Sequence, residues 1–570
     1  MNAHARPTLF NCILGGLSLA GLMRAGDGAI TGRDIIPDCP AWVSHAVVYQ
    51  IYPQTFNDSD GDGIGDLRGI IQKLDYVKSL GADAIWLNPF FDSPFNDAGY
   101  DIRDYYRVAP RYGTNEDARQ LFAEAHRRGL KVLFDYVISY TAIDHPWFVD
   151  SCQQVPNPHS HWYIWTDNAW KSEPGNQWVH GYGRRNGNFL SNFYWSEPAL
   201  NYGFGRPDPA KPWQLPTNHP DVLALRAEMK RVMRFWLDLG ADGFRADMAN
   251  SLVNGEDPHQ DSKRYWQEVR RILRRDYPEA FTVAEWSGPQ DALDDAFHAC
   301  FYHWAEGFDD LYQKESWRIL NGMSEGHSFF DREGRGDVTA FLAGYFSAYG
   351  ATRAKGYICL PLGNHDLARL NTDRTVDELE MIMAFGLTMP GVPFLYYGNE
   401  IGMRQLDGLP QIEGAYQPRA GARTPMQWSG GRNLGFSAAE PRHLYLPVDP
   451  AHDAPNVAAE EADPASLLNR VRRLIRLKHA ERALAAYAEF VPLFAQKDAY
   501  PFVYARASGD DVVLAIFNPA ARAASAEFSF AVAHRDFLLL AGKAVRFTGG
   551  KDRLRIEVPG LTYAIYRVVR

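Results

Sequence analysis

One pattern limits this chain more than any other. From residue 47 onward, short apolar runs of strand character recur, each followed by a polar loop and a segment of helical periodicity. Seven are plain: "VVYQIYP" (47–53), "DAIWLNP" (83–89), "KVLFDYV" (131–137), "GFRADM" (243–248), "FTVAEW" (281–286), "YICLPLGNHD" (357–366) and "VPFLYYGNE" (392–400). An eighth is placed near "ACFYHW" (299–304). Runs that are continuously apolar, not alternating, suit parallel strands covered on both faces. Eight such units predict an α/β fold, a closed (β/α)8 TIM barrel, with functional residues at the C-terminal ends of its strands.

Two stretches fall outside the repeat. Residues 140–222 are too long for a plain connection after the third strand and predict an inserted B domain, dense in aromatics such as Trp147, Trp162, Trp165, Trp170 and Trp195. These rings can form a small core of their own or offer flat faces to a ligand, and both uses are expected among them. After "SLLNRVRRLIRLKHAERAL" (466–484), read as a helix, the period changes to two in "FVYARA" and "VVLAIFN", which predicts a C-terminal antiparallel β-sandwich. The expected boundaries are a leader or extension over 1–40, the barrel over 41–139 and 223–485, the B domain over 140–222 and the sandwich over 486–570.

Composition removes several function classes. The net charge of −10, with no long Lys/Arg block, argues against nucleic acid as a partner. Five scattered cysteines without CxxC spacing indicate neither a zinc site nor a disulfide framework. No run approaches the ~20 apolar residues of a membrane span. The N-terminal "LFNCILGGLSLAGLM" (9–23) has the composition of an export h-region, but no small-x-small cleavage site follows it. Periplasmic or secreted and cytoplasmic locations both stay open, as does oligomeric state.

Three carboxylates stand at strand ends: Asp247 in "GFRADMAN", Glu285 in "TVAEW" and Asp366 in "LGNHD". Assembling three like charges at one barrel mouth is costly. Their mutual repulsion drives pKa values apart, so one carboxyl can serve as acid while another serves as nucleophile, the pairing that glycosidic bond cleavage uses. Arg245, two residues before Asp247, shares its strand parity and can keep the nucleophile ionised. A second constellation, "DSDGDGIGD" (58–66), spaces Asp58, Asp60, Asp62 and Asp66 among glycines in the manner of a calcium loop.

With "GYDIRDYY", "FLYYGNEIGM" and "RTPMQW", these motifs resemble, over roughly residues 41–570, glycoside hydrolase family 13, the α-amylase superfamily. The likeness is to its oligo-1,6-glucosidase, α-glucosidase and trehalose synthase-like branch. The resemblance implies Asp247 as nucleophile, Glu285 as acid then base, Asp366 as the holder of sugar hydroxyls, and retention of the α anomer through a covalent glycosyl-enzyme. It implies that Tyr100, His365 and the Tyr140 position face the sugar, that Asp101 binds a terminal sugar with Arg419 as its partner, and that Ca²⁺ sits on the Asp loop with the Ile64 carbonyl, in a structural role. No organic cofactor is implied. The expected substrate is a short α-glucoside or disaccharide, acted on by hydrolysis or glucosyl transfer. A trehalose synthase-like isomerase is the alternative, and a non-catalytic binding or scaffolding barrel the reading from another class.

Several positions depart from the family pattern. In "DYVISYTAIDHPWF" (135–148), Ser139 and Tyr140 stand where relatives carry Asn and His, which argues against a second calcium site and alters the pocket beside the sugar hydroxymethyl group. "SEPALN" (196–201) replaces the more usual "QPDLN", Met248 follows the nucleophile, and Asn250 and Ser251 stand where long-chain enzymes carry Lys-His. The reaction class is intact on this reading and the substrate shell is altered.

Overall fold

The computed structural model describes residues 36, 38–171, 173, 177–255, 259–286, 288–305, 307–312, 327–415, 419–530, 536–550 and 553–569. Residues 1–35 of the leader read at 1–40 lie outside them. All eight expected strands form: β1 (Val48–Ile51), β2 (Ala84–Leu87), β3 (Lys131–Tyr136), β4 (Gly243–Ala246), β5 (Phe281–Ala284), β6 (Ala299–Phe301), β7 (Tyr357–Cys359, continued by Pro361–Leu362) and β8 (Phe394–Tyr396). Each pairs in parallel with the next, with registers such as Val48↔Ala84, Ala84↔Lys131 and Gly243↔Phe281.

Closure happens at β7. Its first part pairs with β6 and its second with β8, which returns to β1. Pro361 has no N–H to give to a ladder, and the strand changes partner around it. A single run in the sequence is therefore two pieces in space, and the sheet becomes a barrel.

The helices begin where the side chains can satisfy free backbone N–H groups. Asp66 caps α1 (Leu67–Leu80) by accepting from Gly69, and the helix ends on Gly81 at φ 103°. α2 (Asn115–Arg127) opens with a reciprocal Thr114/Asp117 box. The inserted segment returns to the barrel through α3 (Pro220–Leu239), which buries Val222, Leu225, Met229, Val232, Met233 and Trp236 along one stripe. Among the described residues no helix is long and apolar enough to cross a membrane.

The inserted aromatics divide between core and surface. Trp162 and Trp165 are buried, whereas Trp170 and Trp195 are exposed. A small apolar cluster of Ile164, Leu190, Ala199 and Phe204 sits within the insertion.

At the C-terminus, the strands Glu489–Phe494, Phe502–Ser508, Asp511–Asn518, Thr562–Val569 and Asp536–Gly542 form one antiparallel sheet, and Ala524–Ser529, Arg553–Val558 and Arg546–Gly549 a second. The period of two does the joining. Val503, Leu514, Ile516 and Ala564 face the second sheet, while Phe502, Tyr504, Phe517 and Tyr563 join the main core. Phe385 of α4 (Val376–Thr388) meets Phe517 edge-on at 5.5 Å. The helix expected over 466–484 is α5 (Leu467–Ala480) followed by a separate 3-10 turn, Arg482–Leu484. Its end leaves Ala485 to accept from the buried Arg506 at 2.7 Å.

Candidate active site

Asp247 and Glu285 are the first residues past β4 and β5. Their N–H groups still extend the ladder, Asp247 to the Tyr136 carbonyl at 3.1 Å and Glu285 to that of Ala246 at 2.9 Å. Alternation puts Arg245 on the same side as Asp247, and Asp135, paired with Arg245 in the β3–β4 register, joins them. Arg245 is 2 % exposed. Its Nη1 donates to Asp135 Oδ1 and to Asp247 Oδ1, each at 2.7 Å, and its Nη2 to Glu285 Oε2 at 2.6 Å. One guanidinium thus fixes three strand-end carboxylates.

The remaining oxygens are also held. Glu285 Oε1 accepts from Trp304 Nε1 at 2.8 Å, and Oε2 accepts from the Met248 N–H at 3.1 Å. Met248 reaches that position from a backbone at φ 40°, a conformation unusual for a side-chain-bearing residue and often stored at working sites. Asp247 Oδ2 accepts from the Tyr140 hydroxyl at 3.3 Å. Asp366 is set by an Asx turn, in which Asn364 Oδ1 accepts from the N–H groups of Asp366 and Leu367. Its Oδ1 lies 2.9 Å from Arg419 Nε and 3.2 Å from Arg423 Nη2.

These contacts separate the three carboxyls electrostatically. Burial raises Asp366, but Arg419, His365 and Arg423 outweigh it and hold it far below the ordinary carboxylate range. Burial pushes Asp247 well up; Glu285, Asp135 and Asp366 add to the rise and Arg245 opposes it. For Glu285, burial is overcome by Arg245, His303 and Trp304, which hold it well down. The pair therefore titrates as a unit around one cation. His365 is taken down to about 3 by burial, with Asp366 opposing and Arg423, Arg245 and Arg419 assisting, so it is a neutral imidazole. Gln50 Nε2 approaches its Nδ1 at 3.0 Å, which makes Nδ1 the acceptor and leaves Nε2–H to donate to the Tyr100 hydroxyl at 2.7 Å. Tyr100 stacks on the imidazole at 5.3 Å and donates to Asp135 at 2.9 Å.

A cavity of about 360 Å³ opens over this cluster. Tyr100, Tyr140, Asp247, Glu285, His365, Asp366 and Arg419 line it, together with Asp97, Phe193, Met248, Trp286, Trp304 and Arg423. Its volume is near the lower end of the ~300–1,000 Å³ found for small-molecule sites.

Asp101 does not line the cavity, contrary to the sequence expectation. It is fully buried beneath the wall, where its carboxylate accepts from Ser93 Oγ at 2.9 Å and from the N–H groups of Asn96 and Asp97 at 2.8 and 3.1 Å. Asp97 is the carboxylate that faces inward, with Oδ1 3.8 Å from Arg419 Nη1. Positive φ at Phe95, Ala98 and Gly99 folds this loop back, so distance along the chain is a poor guide to which acid is presented. Sequence reasoning also passed over Asp135, Trp304, Glu197 and Arg423. Asp135 had a usable signal, the same strand-end parity that singled out Arg245. Glu197 had one in its carboxyl within "SEPALN".

In the Asp loop, Asp58, Asp60 and Asp66 each bring a carboxylate oxygen within 4.8 Å of the others. Burial raises the pKa of Asp60; the Asp62 N–H opposes this, and Asp66 and Asp58 add to it. The Asp62 carboxylate turns to the Ile64 N–H at 2.8 Å. Asp66 also caps α1, so the cluster sits at the β1–α1 junction.

Residues 50–486 match the family described as "Alpha amylase, catalytic domain". The chain belongs to the alpha-amylase family. It is 31% identical over 547 residues to an oligo-1,6-glucosidase of Parageobacillus thermoglucosidasius, covering 84% of this chain and 90% of that one. It is 33% identical over 505 residues to the trehalose synthase/amylase TreS of Mycobacterium tuberculosis, covering 80% and 78%. Among solved structures, the trehalulose synthase MutB from Pseudomonas mesoacidophila superimposes with a TM-score of 0.74 at 26% identity, covering 93% of this chain and 99% of that one. The closed barrel and the C-terminal sheets are thus family architecture.

Proposed function

We propose that this chain is a retaining α-glucosidase or α-glucosyl transferring enzyme acting on short α-glucosides. The observation that carries the reading is the single Arg245 guanidinium bridging Asp247 and Glu285, with Asp366 held ionised beside them in one small cavity. Asp247 attacks the anomeric carbon while Glu285 protonates the departing oxygen, and Glu285 then deprotonates water or a sugar hydroxyl that releases the glucosyl group. In the acid step Glu285 turns from Arg245 toward the glycosidic oxygen. That move removes its strongest charge stabilisation, raises its proton affinity and leaves the cation to Asp247 and Asp135. Asp366 accepts from sugar hydroxyls, and Tyr100, Tyr140, Arg245, His365 and Arg419 shape the glucosyl pocket. Asp97 opposite Arg419 closes its far end. The carboxylates carry the chemistry without an organic cofactor.

Ca²⁺ is the ion proposed for the Asp loop. Asp58, Asp60 and Asp66 would hold it, with Asp62 and the Ile64 carbonyl completing an oxygen-only shell suited to a hard cation. The ion would fix the β1–α1 junction and take no part in the reaction.

The test is incubation with maltose, isomaltose, sucrose and trehalose, together with a slow-hydrolysing glucosyl fluoride. Glucose or transfer products and a glucosyl adduct on Asp247 are expected; no product and no adduct would refute the reading. The isomerase alternative draws support from the small, walled cavity and from the likeness to TreS, and predicts more disaccharide isomer than free glucose from the same reactions.

A further inference from the structure

Behind the closed end of the cavity lies a carboxyl group for which the glucosidase chemistry has no use. Glu197, from the inserted segment, is fully buried. Its Oε2 accepts from the Tyr194 N–H at 2.8 Å, and its Oε1 has no hydrogen-bond partner. Asp97, which lines the cavity, likewise has a buried Oδ1 with no hydrogen-bond donor, Arg419 Nη1 standing off at 3.8 Å. The two side chains are within hydrogen-bonding reach of each other. Two neighbouring buried carboxylates, each with an oxygen that has no donor, repel unless one of them holds a proton.

We infer that Glu197 is a positioning residue that donates its carboxyl proton to Asp97, holding Asp97 ionised and aimed at the terminal sugar hydroxyls opposite Arg419. The groups around Glu197 favour this assignment. Asp97 and Asp101 approach from the loop after β2 and Asp247 from the end of β4, all negative, while Tyr140 from the end of β3 is a neutral phenol. Burial raises Asp97 above the ordinary aspartate value and Asp366 adds to the rise, while the cations Arg419 and Arg423 oppose it. Burial first, and Asp97 next, therefore push Glu197 well above the ordinary glutamate value, against the single Tyr194 N–H. Asp97 has both arginines to keep its charge. An amide at 197, as in the "QPDLN" pattern, could donate in the same way but could not ionise. The carboxyl adds a pH limit to the site: its hold on Asp97 is complete at low pH and is lost as pH rises through the raised Glu197 value.

The proposal rests on reading the cavity as a glucosyl pocket, and its test separates the two. Wild type, Glu197→Gln and Glu197→Ala are compared with an aryl α-glucoside from pH 5 to 9, and the carbonyl stretch of protonated carboxylic acids is recorded by infrared spectroscopy at pH 7. Glu197→Gln is expected to keep the wild-type KM at low pH and hold it flat where the wild-type KM climbs, with kcat following one profile in both. Glu197→Ala is expected to raise KM about tenfold or more, with a smaller effect on kcat. One acid carbonyl band should vanish in Glu197→Gln. Superimposable KM profiles, or an unchanged acid band, would overturn the inference even if Glu197→Ala fails to fold. A wild type that turns over no glucoside but loses the band in Glu197→Gln would keep the proton assignment and reject the glucosyl pocket.

Discussion

Asp97 and Asp101 are four residues apart, and the geometry assigns them opposite jobs that mutation can separate. Asp101 accepts three hydrogen bonds, two of them from the backbone N–H groups of Asn96 and Asp97, the Asp97 bond being buried. Truncation to alanine strands those donors. Hydrogen bonds to a charged group contribute about 1.5–3 kcal/mol each, and three on one carboxylate add less than their sum, which gives a loss of roughly 3 kcal/mol in folding stability for Asp101→Ala. Asp97→Asn removes a buried charge from a cluster that already holds Glu197 and Asp366 and breaks no backbone hydrogen bond. Its stability should change by less than about 1 kcal/mol. Its KM for a small α-glucoside should rise tenfold or more, because the amide no longer offers two acceptor oxygens to sugar hydroxyls. The assays are urea unfolding followed by tryptophan fluorescence, and steady-state kinetics at 25 °C. An unchanged unfolding midpoint in Asp101→Ala, with a KM raised as much as in Asp97→Asn, would refute the assignment and restore Asp101 as the sugar ligand.

Three further outcomes follow from particular contacts. Tyr140→Phe removes the 3.3 Å hydroxyl contact with Asp247 and should lower kcat about three- to tenfold with an unchanged melting temperature, whereas Tyr140→His should alter preference among maltose, isomaltose, sucrose and trehalose; identical preference would mean that the ring only packs. Chelation with EDTA should lower the melting temperature, and excess Ca²⁺ at a hundred times its dissociation constant should restore about 2.7 kcal/mol, with Asp60→Asn abolishing the response. Lys478 is wholly buried and donates to the Leu484 carbonyl at 2.9 Å; burial, aided by Arg506 and opposed by Asp83 and Cys359, lowers it from 10.5 to about 7. Between those values the unfolded chain binds the extra proton, so stability should climb as pH rises from about 7 toward 10.5, and urea midpoints of Lys478→Met at pH 7 and 9 should lack that climb.

Legibility in the sequence followed the range of the interaction. Strand ends were readable because a buried parallel strand must be continuously apolar, and the first charged residue past it stands out, as Asp247 and Glu285 do. Parity along "GFRAD" was enough to turn Arg245 inward. The loop "FNDAGYDIRDY" was not readable in this way. Its three aspartates, Asp97, Asp101 and Asp104, offer several acids, and the choice among them depends on backbone conformations at Phe95, Ala98 and Gly99 that no periodicity reports. Tyr140 lay between the two cases: its identity was plain, and its direction was not. It could have packed among the inserted aromatics, and the hydroxyl instead reaches Asp247.

The sequence by itself determined the barrel, the inserted segment, the C-terminal sheets and the trio of carboxylates, because hydrophobic period and strand-end position are local properties. Only the tertiary structure decided that β7 divides at Pro361 to close the ring, that one guanidinium serves Asp135, Asp247 and Glu285 together, and that Asp97 faces the cavity while Asp101 braces the loop beneath it. The reason is electrostatic as much as geometric. A carboxylate's role depends on which cations and N–H groups surround it once water is excluded, and those partners come from segments scattered across the whole chain.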